Sequence, residues 1–133
     1  MWAASNDKLP WPTFAQTSIK KSFDLRVTCI GTDCFGVGIK TDDSSDIDTR
    51  KQWVDAEHFK CDVRPELKEK LQAFLIHYGL NYGAFDFAVD SFGNEWFLEC
   101  NPLGQFLWLD YKLNLGLADV MALYLTGEGR TLV

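Results

Sequence analysis

The stretch from Tyr82 to Leu103, YGAFDFAVDSFGNEWFLECNPL, holds two alternating runs, Phe85–Asp90 and Glu95–Asn101, joined through Ser91-Phe92-Gly93-Asn94. Gly and Asn supply turn conformations, so the segment reads as a β-hairpin. Phe85, Phe87 and Val89 share one side of the first strand, and Trp96, Leu98 and Cys100 one side of the second. Asp86, Ala88 and Asp90 alternate with the first set, and Glu95, Phe97, Glu99 and Asn101 with the second. The expected register sets Asp86 opposite Glu99, Phe87 opposite Leu98 and Val89 opposite Trp96. Two like charges directly opposed destabilise a sheet by roughly 0.2 to 1 kcal/mol. A hard divalent cation on oxygen ligands, magnesium foremost, would offset that, and Asn101 on the same face adds a neutral oxygen. The alternative is a solvated face whose carboxylates only point into water. The continuous apolar partner face and the rigid Asn101-Pro102 exit favour a site.

Upstream, Pro65–Tyr78 reads as a helix. Leu67, Leu71, Phe74, Leu75 and Tyr78 form an apolar stripe, Pro65 suits the first turn, and Gly79 is a C-terminal cap candidate. Phe23–Ile30 alternates as a strand, with Phe23, Leu25, Val27 and Cys29 on one side and Asp24, Arg26, Thr28 and Ile30 on the other. Gly31-Thr32-Asp33 turns it into a second strand, Cys34–Lys40, where Gly36 and Gly38 suggest close approach by another backbone or a ligand. Arg26 stands in the row of Asp24. It serves either a cross-strand ion pair or a planar fork for phosphate.

Thr41–Asp48 is acidic and aperiodic and reads as a loop, with Arg50 just beyond it as a surface charge or a lid residue. The first residues, MWAASNDKLPWPTFAQ, form an irregular lead-in. After Pro102, LGQFLWLDYKLNLG is expected to cover the hairpin, and Leu117–Thr126 forms a second helix stopped by Gly127.

The bulk numbers bound the reading. A chain of 133 residues makes one small domain or part of a larger protein. Thirteen basic against nineteen acidic residues, a formal charge of −6, argue against nonspecific nucleic-acid binding and against an anionic membrane surface. The sequence carries no targeting signal and no apolar run long enough to span a bilayer, which leads us to expect a cytoplasmic protein. Cys29, Cys34, Cys61 and Cys100 show no CxxC spacing and, with His58 and His77, no zinc pattern. They read as reduced structural thiols, although Cys29 and Cys34 flank a turn and can come close enough for a disulfide.

Together these elements predict an α+β layer, an antiparallel sheet with helices packed on one face. Their order resembles the C-terminal, larger half of an ATP-grasp domain. Asp86 followed by Glu99-Cys100-Asn101 matches that family's magnesium ligands, and Phe23-Asp24-Leu25-Arg26-Val27 resembles its phosphate-contacting strand. Asn101–Asp110, NPLGQFLWLD, is similar to the microviridin-type (graspetide) peptide-cyclising ligases and more distantly to the ribosomal-protein S6 glutamate ligases.

The resemblance implies that Asp86, Glu99 and Asn101 hold Mg2+ on the β- and γ-phosphates of ATP, and that Arg26 and Arg50 neutralise the transferred phosphoryl group. It places Gln16 at the adenine hinge, where Gln16-Thr17-Ser18-Ile19 keeps the family's glutamine and aliphatic residue. It also implies a peptide or protein substrate and a homodimer. A substrate carboxylate would attack the γ-phosphate, and an amine or hydroxyl would displace phosphate from the resulting acyl phosphate.

The expected division is a lead-in over residues 1–15, the ATP-grasp C-terminal subdomain over 16–127 and a tail over 128–133. The family's N-terminal domain and lysine-bearing small subdomain have no counterpart before Gln16, so the chain is expected to be inactive without a missing N-terminal part. Two other readings remain, a non-catalytic binding or oligomerisation module and a metal-dependent hydrolase on the same carboxylates.

Overall fold

A computed structural model of the chain describes residues 17–40 and 56–132. The alternating segments form an antiparallel sheet of β1 (Lys21–Ile30), β2 (Asp33–Lys40), β3 (Glu57–Cys61), β4 (Tyr82–Asp90) and β5 (Glu95–Asn101), ordered β3-β2-β1-β4-β5. The helices are α1 (Pro65–His77), α2 (Leu107–Leu113) and α3 (Leu117–Leu125). Strand β3 is the element that sequence patterning misses. EHFKC has only five residues without clean alternation, and it forms because Gly36–Lys40 of β2 offers it an edge. Gly36 and Gly38 then explain themselves, since a Cβ on Gly36 would strike the Cys61 carbonyl and one on Gly38 the Phe59 ring.

Helix α1 covers one face of the sheet. Leu67, Leu71 and Leu75 bury themselves against Leu25, Val27, Cys29, Phe85, Phe87 and Val89 to make the main core. Burying each such side chain contributes roughly 1.5–3 kcal/mol. Pro65 occupies the first turn, and the helix ends in a Schellman motif. Gly79 at φ +65° donates to the Ile76 carbonyl, and Leu80 donates to that of Leu75. Tyr78, expected on the apolar stripe, lies beyond the last turn and is exposed.

The opposite face is built differently at its two ends. The stretch expected to cover the hairpin instead crosses the sheet. Its turn passes over β4, where a Cβ on Gly104 would strike that of Ala84 and the Tyr82 hydroxyl donates to the Gly104 carbonyl. It then seats α2 over β2, with Leu109 buried against Val37 and Ile39 in a second small core. This leaves the acidic face of β4 and β5 uncovered by α2. Asp110 of α2 caps α3, accepting hydrogen bonds from the backbone N–H groups of Leu115, Leu117 and Ala118. Residues 128–132 lie back on the sheet's end, where Thr32 donates to the Arg130 carbonyl and Leu132 donates to Asn81.

Candidate functional site

Three strands bring the singled-out residues together. Asp86 on β4 is the direct partner of Arg26 on β1 and of Glu99 on β5, while Ala84 lies between Thr28 and Asn101. Arg26, Asp86 and Glu99 thus form one row across the sheet, with Asn101 in the next. The expected opposition of Asp86 and Glu99 is present. Small Ala84 and Ala88 flank Asp86 on its own strand, both buried, with the Gly104 turn packed on Ala84.

The register departs from expectation one residue later. A bulge between Asp86 and Phe87 takes in Leu98, so that Phe87 faces Phe97, Ala88 faces Trp96 and Val89 faces Glu95. A one-residue slip exchanges the faces of every residue beyond it. Phe97 therefore joins the α1 side, its ring centroid 5.8 Å from that of Phe87 and 6.2 Å from that of Phe74. Glu95 turns to the same side and pairs with Arg64 at the start of α1. Leu98 moves to the acidic face. There it bounds a cavity of about 470 Å³ together with residues 17–19, Lys21, Asp24 and Ala88. A bulge has no compositional signature in EWFLECN, which is why pattern reading passes over it.

Arg26 takes up the ion-pair role left open by the sequence, with Asp86 as its partner. Its Nη2 donates to Asp86 Oδ2 at 3.2 Å and its Nε lies 3.1 Å from Oδ1, and the two side chains are only 10% and 14% exposed. Asp24 is held by Lys21, whose Nζ reaches both carboxylate oxygens at 2.8 and 2.6 Å. Part of the repulsion between Asp86 and Glu99 is therefore offset by Arg26 without a metal. It is not offset completely. Desolvation pushes the Asp86 carboxyl up to about 6, Arg26 opposes this, and Glu99 and Asp24 add to the rise.

Glu99 and Asn101 are exposed at the open edge of the sheet. The Asn101 side-chain oxygen accepts from the Leu103 N–H at 2.9 Å, which fixes the Asn101-Pro102 turn and leaves that oxygen a second lone pair. Among the described residues no three His, Cys, Asp or Glu side chains gather as a metal cluster. The candidate set is two carboxylates plus an amide oxygen, hard donors of the kind magnesium takes. A carboxyl group buried with excess negative charge fits a cation. Gln16 and Arg50, the other two residues singled out, lie outside the described residues.

Comparison with solved structures identifies the architecture. A Chryseobacterium gregarium RiPP-associated ATP-grasp ligase, in complex with ADP and a leader and core peptide, superposes with a TM-score of 0.78 at 24% identity, over 86% of this chain and 36% of its own. The fold is that of part of an ATP-grasp ligase. Macrocyclase MdnB from Microcystis aeruginosa matches with a TM-score of 0.67 at 29% identity, over 84% of this chain and 40% of its own. Macrocyclase MdnC from the same organism, bound with precursor peptide MdnA, matches with a TM-score of 0.58 at 29% identity, over 70% of this chain and 29% of its own. The chain thus spans well under half the length of these ATP-grasp relatives. No protein-family model matches the sequence, and no curated protein matches it. Among the described residues no helix is long and apolar enough to cross a membrane.

Proposed function

We propose that this chain supplies the C-terminal, metal-phosphate platform of an ATP-dependent ligase that joins a carboxylate to an amine or alcohol on a peptide or protein. The observation that carries the reading is the row Arg26, Asp86, Glu99, with Asn101 beside it, on the sheet face opposite α1 of a fold that is part of an ATP-grasp ligase. Solved structures similar to this chain are complexes with ADP and with precursor peptides.

Asp86, Glu99 and Asn101 would hold magnesium, which when bound neutralises phosphate charge and orients the phosphates of ATP. The chain's own residues do the rest by position. Asp86 is anchored from β1 by Arg26, so its oxygens are held in place before any ligand arrives. Arg26, sharing its charge between Asp86 and the space above it, favours phosphoryl oxygens there. Lys21 holds Asp24 away from that space. The cavity bounded by residues 17–19, Asp24, Ala88 and Leu98 is the place for the nucleoside, next to Gln16 in sequence. Such phosphoryl transfer depends on positioning and charge neutralisation and uses no protein nucleophile. Under this reading the chain acts together with a further part, which carries the lysine-bearing small subdomain that closes the other wall in this fold family, and does not turn over alone.

Calorimetric titration of the chain with Mg-ATP tests the platform. Binding that is lost in both Asp86→Asn and Asn101→Ala supports it. Binding untouched by both substitutions refutes it. Robust ADP release by the isolated chain, abolished by Glu99→Ala, would show that no second part is needed. One observation favours a non-catalytic module instead: Arg26 already neutralises much of Asp86. Under that reading the chain shows no magnesium-dependent nucleotide binding even when joined to its partner part.

A further inference from the structure

Cys29 and Cys34 are direct partners on β1 and β2, one pair in from the two-residue turn Gly31-Thr32. Gly31 has φ +54°, as the first central residue of a tight hairpin turn requires, and Ile30 with Asp33 closes the hairpin. The closing pair of such a hairpin is hydrogen-bonded. The next pair, Cys29 and Cys34, is then a non-hydrogen-bonded one, with Cα atoms about 4.5 Å apart and side chains on the same face. That separation falls within the range of about 4.4–6.8 Å that a disulfide spans, at its short end.

The other cysteines do not compete. Cys100 is on β5 and Cys29 on β1, with β4 between them. Two strand spacings of about 4.8 Å each put their Cα atoms beyond a disulfide's reach. Cys61 faces Gly36, so it meets Cys34 only on a diagonal of roughly 7–8 Å.

The two thiols differ in environment. Cys29 is fully buried under α1, whereas Cys34 is partly exposed at the end of β2 that β3 does not reach. Both are free thiols. A hydrogen bond from the Cys29 thiol, helped by the Lys68 ammonium on α1, holds Cys34 below the ordinary thiol range against desolvation. The same hydrogen bond and burial keep Cys29 well above that range.

We propose that Cys29 and Cys34 form a reversible modification site, a dithiol that a low-molecular-weight disulfide such as oxidised glutathione converts into a cross-strand disulfide closing the β1–β2 hairpin. The Cys34 thiolate attacks one sulfur of oxidised glutathione. Its S–S bond breaks, a Cys34–glutathione mixed disulfide forms, and one glutathione thiolate leaves. Cys29 then gives its proton to solvent and attacks the Cys34 sulfur, releasing the second glutathione thiolate. The protein loses two electrons and two protons, and oxidised glutathione is reduced to two glutathione molecules. Reduced glutathione reverses both steps. The bond would rigidify β1 three residues from Arg26, independently of whether the phosphate platform is functional.

The purified chain is incubated in buffers of graded oxidised-to-reduced glutathione ratio, quenched by alkylation, digested with trypsin and weighed. Cleavage after Arg26 and Lys40 releases Val27–Lys40, which carries both cysteines. The expected result is an internal disulfide in that peptide, about 2 Da lighter than the dithiol and restored by reduced glutathione. Cys29→Ser should accumulate a stable glutathione adduct on Cys34, while Cys61→Ser and Cys100→Ser close the bond as the wild type does. Cys34→Ser should form no internal disulfide and leave buried Cys29 unreactive, a readout that stands if Cys29→Ser does not fold. A persistent mixed disulfide on Cys34 in the wild type, a bridge to Cys61 or Cys100, or a peptide that stays dithiol while those two react overturns the proposal.

Discussion

Glu99→Gln separates the cost of the opposed carboxylates from their use. Asp86 and Glu99 are direct cross-strand partners, a juxtaposition that destabilises by roughly 0.2 to 1 kcal/mol. Glu99 is exposed and Arg26 offsets part of the charge on Asp86, so about 0.5 kcal/mol is the reasonable figure. The substitution should therefore stabilise the isolated chain by that amount at pH 7.5. With a slope of about 1.5 kcal/mol per molar, the urea midpoint moves up by about 0.3 M.

The pH dependence carries the sign. The Asp86 carboxyl is raised to about 6 in the folded chain, so the folded state takes up its proton more readily than the unfolded state does. The stability this provides is complete at low pH and is lost as pH rises through about 6. At pH 5 roughly nine-tenths of Asp86 is protonated, the repulsion is gone, and the advantage of the Glu99→Gln variant should vanish. Millimolar magnesium chloride should raise the wild-type midpoint at pH 7.5 and leave that of the variant in place. Urea titrations at pH 7.5 and pH 5, with and without magnesium, make the measurement. A variant less stable than wild type at pH 7.5, or a gain that persists unchanged at pH 5, would refute the reasoning.

Two further substitutions probe how the scaffold holds the site. Leu75→Ala empties a fully buried position between α1 and the sheet, and should cost about 3–4 kcal/mol by urea denaturation, enough to leave a chain of this size marginal. Asp110→Ala removes the acceptor of three backbone N–H groups at the start of α3 and should cost about 1–2 kcal/mol, with amide exchange accelerating at Leu115, Leu117 and Ala118. Although desolvation pushes the Asp110 carboxyl up, these N–H groups together hold it below its ordinary value. The wild type should therefore lose the same contribution only as pH falls below the usual carboxylate range, and the variant should lack that dependence.

How much of this was legible beforehand follows from the range of each interaction. Helix α1 was readable because its signals are local: a stripe repeating within four residues, Pro65 at the start and Gly79 at the end. The opposition of Asp86 and Glu99 was readable because a short connection ties two alternating strands into one register. Strand β3 and the path of Asn101–Leu113 were not, since each depends on an edge or a face supplied by residues far away in sequence.

The sequence by itself determined the two hairpins, helices α1 and α3 and the residue types of the candidate site, because alternation, turn residues, helical stripes and the Asp with Glu-x-Asn spacing are properties of short segments. Only the tertiary structure decided that Arg26 answers Asp86, since their pairing joins strands sixty residues apart. It also decided which way β5 faces beyond Glu99. One extra residue accommodated at Leu98 sends Phe97 and Glu95 to the core side and Leu98 to the site, a choice made by packing against α1 and invisible in the order of the letters.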